Sequence, residues 1–278
     1  MTVGSLFSGV GGLDLGLEWA GFETKWFCEI EQFPQQVLKN HWPGVPVYDD
    51  VKKIKADAVV PVDVIAGGFP CQDISWAGVG RGINYDLSEQ EGTRSGLWWE
   101  MWRVIRDLRP RYVIAENVPA LTHRGLDIVL GSLAQIGYDA EWQTISAASV
   151  GAPHIRERVF IVAYPCGIRS HEPISGYGHS EVEWAGSGFG CENRIFDKVG
   201  RKNTEFGSPD FWPSGEWDAH LATDACISDM GRKPHGIPDS LDTYGHRTKG
   251  LGNAVVPQVG YLVGRAVMAH AFAQADNR

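Results

Sequence analysis

The stretch TVGSLFSGVGGLDLGLEWAGFETKWFCE, residues 2–29, decides the fold. It opens on an apolar run, Val3 to Phe7, and breaks into glycines at Gly9, Gly11 and Gly12. Apolar residues then recur at helical spacing from Leu13 to Ala20. The pattern stops at Gly21, the residue type that most readily takes the left-handed conformation closing a helix. A second strand-like run, Glu23 to Cys28, follows and ends on Glu29. Strand, glycine turn, helix and strand in this order form a βαβ unit, whose two strands lie parallel in one sheet.

The alternation continues outward from there. Further strands are predicted at Asp63 to Gly67, Tyr112 to Glu116, Tyr138 to Ile145 and Val159 to Tyr164. Helices are predicted at Phe33 to His41, at Leu97 to Leu108 with Arg109-Pro110 as its stop, and at Leu126 to Ile136 with Gly137 as its stop. Residues 1–164 therefore read as one α/β domain with a parallel sheet. Residues 165–235 are rich in Gly, Ser, Pro and Trp without helical periodicity, and read as a second, small and irregular domain. Residues 236–278 lead back. From Val255 to Ala273 the apolar positions Val259, Leu262, Val263, Ala266, Val267 and Ala271 share one helix face, which should pack on the first domain. Ala77 to Ser95 has four glycines and little periodicity, and is read as a long functional loop.

Composition narrows the class. Of 278 residues 43% are hydrophobic and 21% charged, which supports a packed core and excludes a disordered or fibrous chain. No apolar run approaches the ~20 residues that span a bilayer. The first residues lack the basic-then-apolar pattern of a secretion signal, so a cytoplasmic location is expected. Cys28, Cys71, Cys166, Cys191 and Cys226 contain no C-x-x-C pair, so neither a disulfide framework nor a metal site is expected. The net charge of −9 argues mildly against a polyanionic partner for the chain as a whole. Between Cys191 and Asn203, however, Arg194, Lys198, Arg201 and Lys202 stand against only Glu192 and Asp197. A nucleic-acid surface would be local, in the second half.

Five segments carry chemistry. In Phe7-Ser8-Gly9-Val10-Gly11-Gly12 the glycines let a ligand approach the backbone at a helix N-terminus. The spacing is not that of a dinucleotide phosphate clamp, and Asp14 would repel a pyrophosphate, so an adenosyl ligand without phosphates fits better. Glu29, at the end of the next strand, can bind ribose hydroxyls. Gly67-Gly68-Phe69-Pro70-Cys71-Gln72 sets a thiol just past the carboxyl end of a strand, where parallel sheets place their ligand crevice. Glu116-Asn117-Val118-Pro119 ends an apolar strand on a carboxyl group, a setting that raises its pKa and suits an acid or hydrogen-bonding role. In Arg156-Glu157-Arg158 strand alternation aims both guanidinium groups over the same crevice. Leu251 to Pro257 is the turn into the last helix.

This ordered set resembles the DNA (cytosine-5)-methyltransferase family, over residues 1–164 and about 249–274. The resemblance implies a doubly wound, Rossmann-like, mostly parallel sheet that binds S-adenosylmethionine, and a small target-recognition domain. It also implies a double-stranded DNA partner whose target cytosine is swung out of the helix. Position by position it implies that Phe7, Gly9, Gly11 and Gly12 wall the cofactor pocket and that Glu29 holds the ribose. Ile30 would cover the adenine, and Asp50, followed by Val51, would receive its amino group. Pro70, Leu97, Asn253, Ala254 and Val255 would complete the pocket. Cys71 would be the nucleophile, Glu116 the contact to cytosine N3, Arg158 the contact to the cytosine carbonyl, and Arg156 its companion at the nucleophile. A monomer without metal, in a bacterial or phage-infected cell and within a restriction-modification setting, is the corresponding expectation. An RNA cytosine-5 methyltransferase is the rival within the fold, and a catalytically silent binding relative the rival outside enzymes. No [DNS]-P-P-[YF] sequence occurs, which disfavours methylation of an exocyclic amino group.

Overall fold

The computed structural model describes residues 1–70, 96–152, 154–166, 195–196 and 244–276. Seven strands form one sheet: β1 (Thr2–Leu6), β2 (Glu23–Cys28), β3 (Val47–Tyr48), β4 (Val64–Gly68), β5 (Tyr112–Asn117), β6 (Tyr138–Ser146) and β7 (Glu157–Pro165), in the order β3-β2-β1-β4-β5-β7-β6. β7 runs antiparallel to both its neighbours, and every other pairing among the described strands is parallel. The expected mostly parallel, doubly wound sheet is thus present. Its winding reverses at β1, and such a reversal opens a ligand crevice at the carboxyl ends of the strands. Because β7 is inverted, its first residues arrive at that same edge.

The helices are α1 (Gly12–Trp19), α2 (Gln32–His41), α3 (Leu97–Leu108), α4 (Leu126–Gln135), α5 (Tyr244–Asn253) and α6 (Pro257–Asp276). Alternation along the strands sorts the core into two layers. Val3, Val64, Ala66, Ile114, Phe160 and Val162 face α1 and α6, whereas Leu6, Ile65, Val113, Ala115 and Ile161 face α3 and α4. The last helix does pack back on the first domain, burying Leu262, Val263 and Val267, each burial of this kind being worth about 1.5–3 kcal/mol. Glycine permits the closeness of this contact. A Cβ on Gly12 would stand 2.2 Å from the Val255 carbonyl oxygen, and one on Gly16 2.1 Å from that of Pro257.

Most elements fall where periodicity predicts them. The exceptions are α5, which takes in the first residues of the expected turn Leu251 to Pro257, and the two-residue strand β3 with the 3₁₀ turn Val51–Lys53 after it, which are too short to show a period. Of residues 165–235, for which a second domain is expected, only Pro165, Cys166, Ile195 and Phe196 are described. Ile195 and Phe196 are buried in the α1–α6 layer, and the Ile195 N–H donates to Glu141 Oε2 at 3.0 Å. The loop Ala77 to Ser95 lies outside the described residues. Among the described residues no helix is long and apolar enough to cross a membrane.

Candidate functional site

A cavity of about 880 Å³ opens at the carboxyl edge of the sheet. The ends of β1 to β5 contribute to it in turn. After β1 come Phe7, Ser8 and Gly9, with Gly12 at the start of α1. Phe7 is held at φ 52, a left-handed conformation that a bulky residue adopts only under constraint. After β2 come Glu29 and Ile30, the latter 73% exposed. Glu29 is buried, and its carboxylate accepts the Gly9 N–H on Oε2 and the Glu31 N–H on Oε1, both at 2.8 Å. Burial raises its pKa, and these two backbone donors oppose the rise.

After β3 come Asp50 and Val51. Asp50 caps the 3₁₀ turn, with Oδ1 accepting the Lys52 N–H at 2.9 Å. Pro70 after β4, Leu97 at the start of α3, and Asn253, Ala254 and Val255 before α6 complete this part of the wall. Of the pocket residues that the sequence singles out, only Gly11 stands off the wall. It is the left-handed residue before α1, and a Cβ there would meet the Trp42 ring at 2.6 Å.

At the β5 end of the same cavity Glu116 meets Arg158 of β7, with Nε 2.8 Å from Oε1. Register explains the meeting, since Glu116 pairs with Phe160 and places Arg158 two residues along the antiparallel strand. Burial pushes the Glu116 carboxyl up from 4.5 to about 7, and the two arginines Arg158 and Arg156 offset only part of that. Gly68 is needed beside it, because a Cβ there would stand 2.5 Å from Glu116 Oε2.

Arg156 differs from the sequence expectation. It precedes β7, so strand alternation does not govern it. Its Nη2 instead donates to the carbonyls of Gly252 and Ala254, at 2.6 and 2.8 Å, holding the turn that presents Asn253 to the cavity. Cys71, beside which the resemblance places Arg156, lies outside the described residues. The chain up to it is held by a residue that sequence reasoning passed over. Asn117 is buried, donates from Nδ2 to the Phe69 carbonyl at 3.0 Å, and accepts the Val118 N–H on Oδ1. Its place next to Glu116 was the available signal.

Two further groups line the cavity in ways the sequence reading did not assign. Asp14 lines the cavity from α1, is almost fully buried, and has neither carboxyl oxygen hydrogen-bonded among the described residues. Burial pushes it up from 3.8 to about 7, which the nearby Ser5 hydroxyl offsets only in part. Lys249 and Glu31 form a 2.6 Å ion pair across the rim, joining α5 to the segment before α2.

Comparison with known proteins agrees with this geometry. The family model described as C-5 cytosine-specific DNA methylase matches residues 1–183. The Type II methyltransferase M2.BsuMI of Bacillus subtilis is 36% identical over 171 residues, which cover 59% of this chain and 42% of that protein. M.CviJI of a Paramecium bursaria Chlorella virus is 32% identical over 189 residues, covering 67% and 49%. The chain thus spans about half the length of the curated relatives it matches. Among solved structures, one described as a DNA modification methyltransferase encoded within an E. coli prophage shares the fold, with TM-score 0.57 and 19% identity over 98% of this chain and 99% of that one. The Dnmt2 methyltransferase of S. pombe does so with TM-score 0.56 and 15% identity, over 97% and 99%. A family model covering the glycine turn, the Glu116 strand and the arginine pair leaves one conclusion: the chain belongs to the C-5 cytosine-specific DNA methylase family.

Proposed function

We propose that the chain is an S-adenosylmethionine-dependent DNA (cytosine-5)-methyltransferase. The observation that carries the reading is the cavity with two differently built ends. One end has Glu29 fixed on backbone N–H groups and Asp50 with one oxygen already spent. The other has the buried Glu116–Arg158 pair.

The donor set fits S-adenosylmethionine. The remaining lone pairs of Glu29 suit ribose hydroxyls, Asp50 Oδ2 suits the adenine amino group, and Ile30 offers an apolar cover. Phe7, Gly9, Gly12, Val51, Pro70, Leu97, Asn253, Ala254 and Val255 shape the wall around them. When bound there, S-adenosylmethionine supplies an electrophilic methyl group.

The protein's own groups prepare the base. Cytosine C5 is too weak a nucleophile to be methylated directly, so Cys71 as thiolate adds to C6, and the C5–C6 π pair becomes available at C5. Glu116, half protonated near pH 7, donates its proton to N3 and stabilises the electron-rich ring. Arg158 spends Nε on Glu116 and Nη1 on the Glu157 carbonyl, which leaves Nη2 for the cytosine carbonyl oxygen. After C5 has gained its methyl group, loss of the C5 proton returns an electron pair to the ring. That pair expels the Cys71 thiolate, and N3 returns its proton to the Glu116 carboxylate. The base must leave the duplex to reach the cavity, and residues 165–235 supply sequence readout.

The test uses duplex DNA whose target carries 5-fluorocytosine. The C5 fluorine cannot leave as a proton does, so the Cys71–C6 bond persists after methyl transfer. Denaturing electrophoresis should show a joined band that needs both cofactor and target, and C71S should remove it together with nearly all methylation. An enzyme that methylates DNA without such a band, or a C71S variant with near-normal activity, overturns the covalent mechanism. Bisulfite sequencing of plasmid from expressing cells reads the target. Plasmid left unmethylated by soluble, cofactor-binding protein overturns the DNA assignment.

A further inference from the structure

Arg103 lies on α3 away from the cavity wall, and no step above uses it. Its guanidinium is nonetheless committed in every direction. Nε donates to Glu100 Oε2 at 2.9 Å, Nη1 to the Ile54 carbonyl at 2.8 Å, and Nη2 to the Val51 carbonyl at 2.9 Å. Asp107 Oδ2 stands 3.7 Å from Nη1. The two acids are at i−3 and i+4 on the same helix and so brace the fork in one orientation.

Both carbonyls belong to the short segment that carries Asp50 into the cavity wall, namely the 3₁₀ turn Val51–Lys53 and the residue closing it. Apolar packing of Val51 and Ile54 within the α3 layer presses that segment onto the helix. Such packing is non-directional and leaves the turn free to rotate. A planar fork with two donors on two carbonyls of one turn fixes rotation as well as distance, which an ammonium group cannot do.

We propose that Arg103 is a positioning residue for the adenine end of the cavity. By gripping the Val51 and Ile54 carbonyls it aims the Asp50 carboxylate at the amino group of an adenosyl ligand. The inference rests on the Asp50 assignment made above, and its test keeps the two separable.

The probes are S-adenosylhomocysteine and its inosine counterpart, in which an oxygen replaces the adenine amino group. Their affinities for the full chain are measured by calorimetry. The wild type should prefer the adenosyl form by roughly 10-fold or more, the scale of one buried polar contact left unmade. R103K keeps the charge and its helical acids and should melt near the wild-type temperature, yet its preference should fall to about 3-fold or less, because a rotating ammonium lacks the planar fork that fixes both carbonyls in one orientation. R103M should lose the preference to the same extent. D50A should abolish it, and adding R103K to D50A should change nothing further.

If R103K or R103M weakens both ligands equally and keeps the wild-type preference, the role is structural only and the proposal falls. If the wild type shows no preference, or D50A retains it, the Asp50 assignment is wrong and the proposal falls with it.

Discussion

Glu29 and Glu116 are the same residue type, equally buried, at opposite ends of one cavity, yet the sheet equips them differently. Glu29 ends a parallel strand and rests on two backbone N–H groups, whose positions are set by β1 and α2 and cannot move away. Glu116 lies on β5 beside the inverted β7, and its partner is the Arg158 side chain. Fixed backbone donors oppose the rise that burial causes at Glu29 and leave a carboxyl group held for binding, while desolvation beside a side-chain guanidinium leaves a proton that can come and go near neutral pH at Glu116. The inverted strand makes the second arrangement possible. Only an antiparallel neighbour brings residues from a strand's beginning to the edge where the other strands end.

Glu116→Gln should break the contrast most severely. Glutamine keeps the size of the side chain and can donate a hydrogen bond to N3, but has no proton to give. Turnover should fall by about 10²–10⁴, the usual worth of a positioned acid. The pH dependence checks the cause. The folded-state pKa is raised from 4.5 to about 7, so the protonated form prevails below about 7 and is lost as pH rises through that value. Wild-type kcat/KM should carry an alkaline limb there, and the residual activity of the variant should not. A Glu116→Gln enzyme with the same limb would assign the limb to another group.

How much of this was open to a sequence reader depends on range. β2 and α3 could be placed to the residue, because Glu23 to Cys28 is bounded by Gly21 and Glu29, and Leu97 to Leu108 runs at helical period into Arg109-Pro110. β3 could not, because two residues after Pro46 show no pattern. Strand ends marked the cavity for the same reason that strands could be read, and the resemblance added residues such as Asp50, Leu97 and Asn253 that no periodicity points to. What stayed hidden depends on contacts between distant segments. Arg156 reaches carbonyls 96 and 98 residues away, and Arg103 reaches carbonyls about 50 residues back. No local pattern announces either.

Glu29→Ala should act at the other end and in the other parameter. If Glu29 holds the ribose in ground and transition states alike, its loss should raise KM for S-adenosylmethionine by about 10- to 100-fold with kcat within ~3-fold. Steady-state kinetics at saturating DNA separates the two. A variant with unchanged KM and depressed kcat would move Glu29 from binding to chemistry and erase the difference between the two ends.

Asp14 sharpens the comparison with the smallest effect on turnover, because it is a third buried acid on the same wall, with neither carboxyl oxygen hydrogen-bonded among the described residues. Its pKa is raised from 3.8 to about 7, so the folded state holds a proton that the unfolded chain releases. The native protein therefore has the full benefit of the protonated group below about 3.8, loses it progressively as pH rises to about 7, and carries the whole cost of a buried charge above that. Asp14→Asn is neutral at every pH. Urea denaturation should show it more stable than the wild type at about pH 8, with the advantage shrinking toward about pH 5, and kcat should stay within about twofold at both. A stability difference that does not change across this range would mean that Asp14 is ionised in the fold. A large loss of turnover would mean that its proton, like that of Glu116, takes part in the reaction.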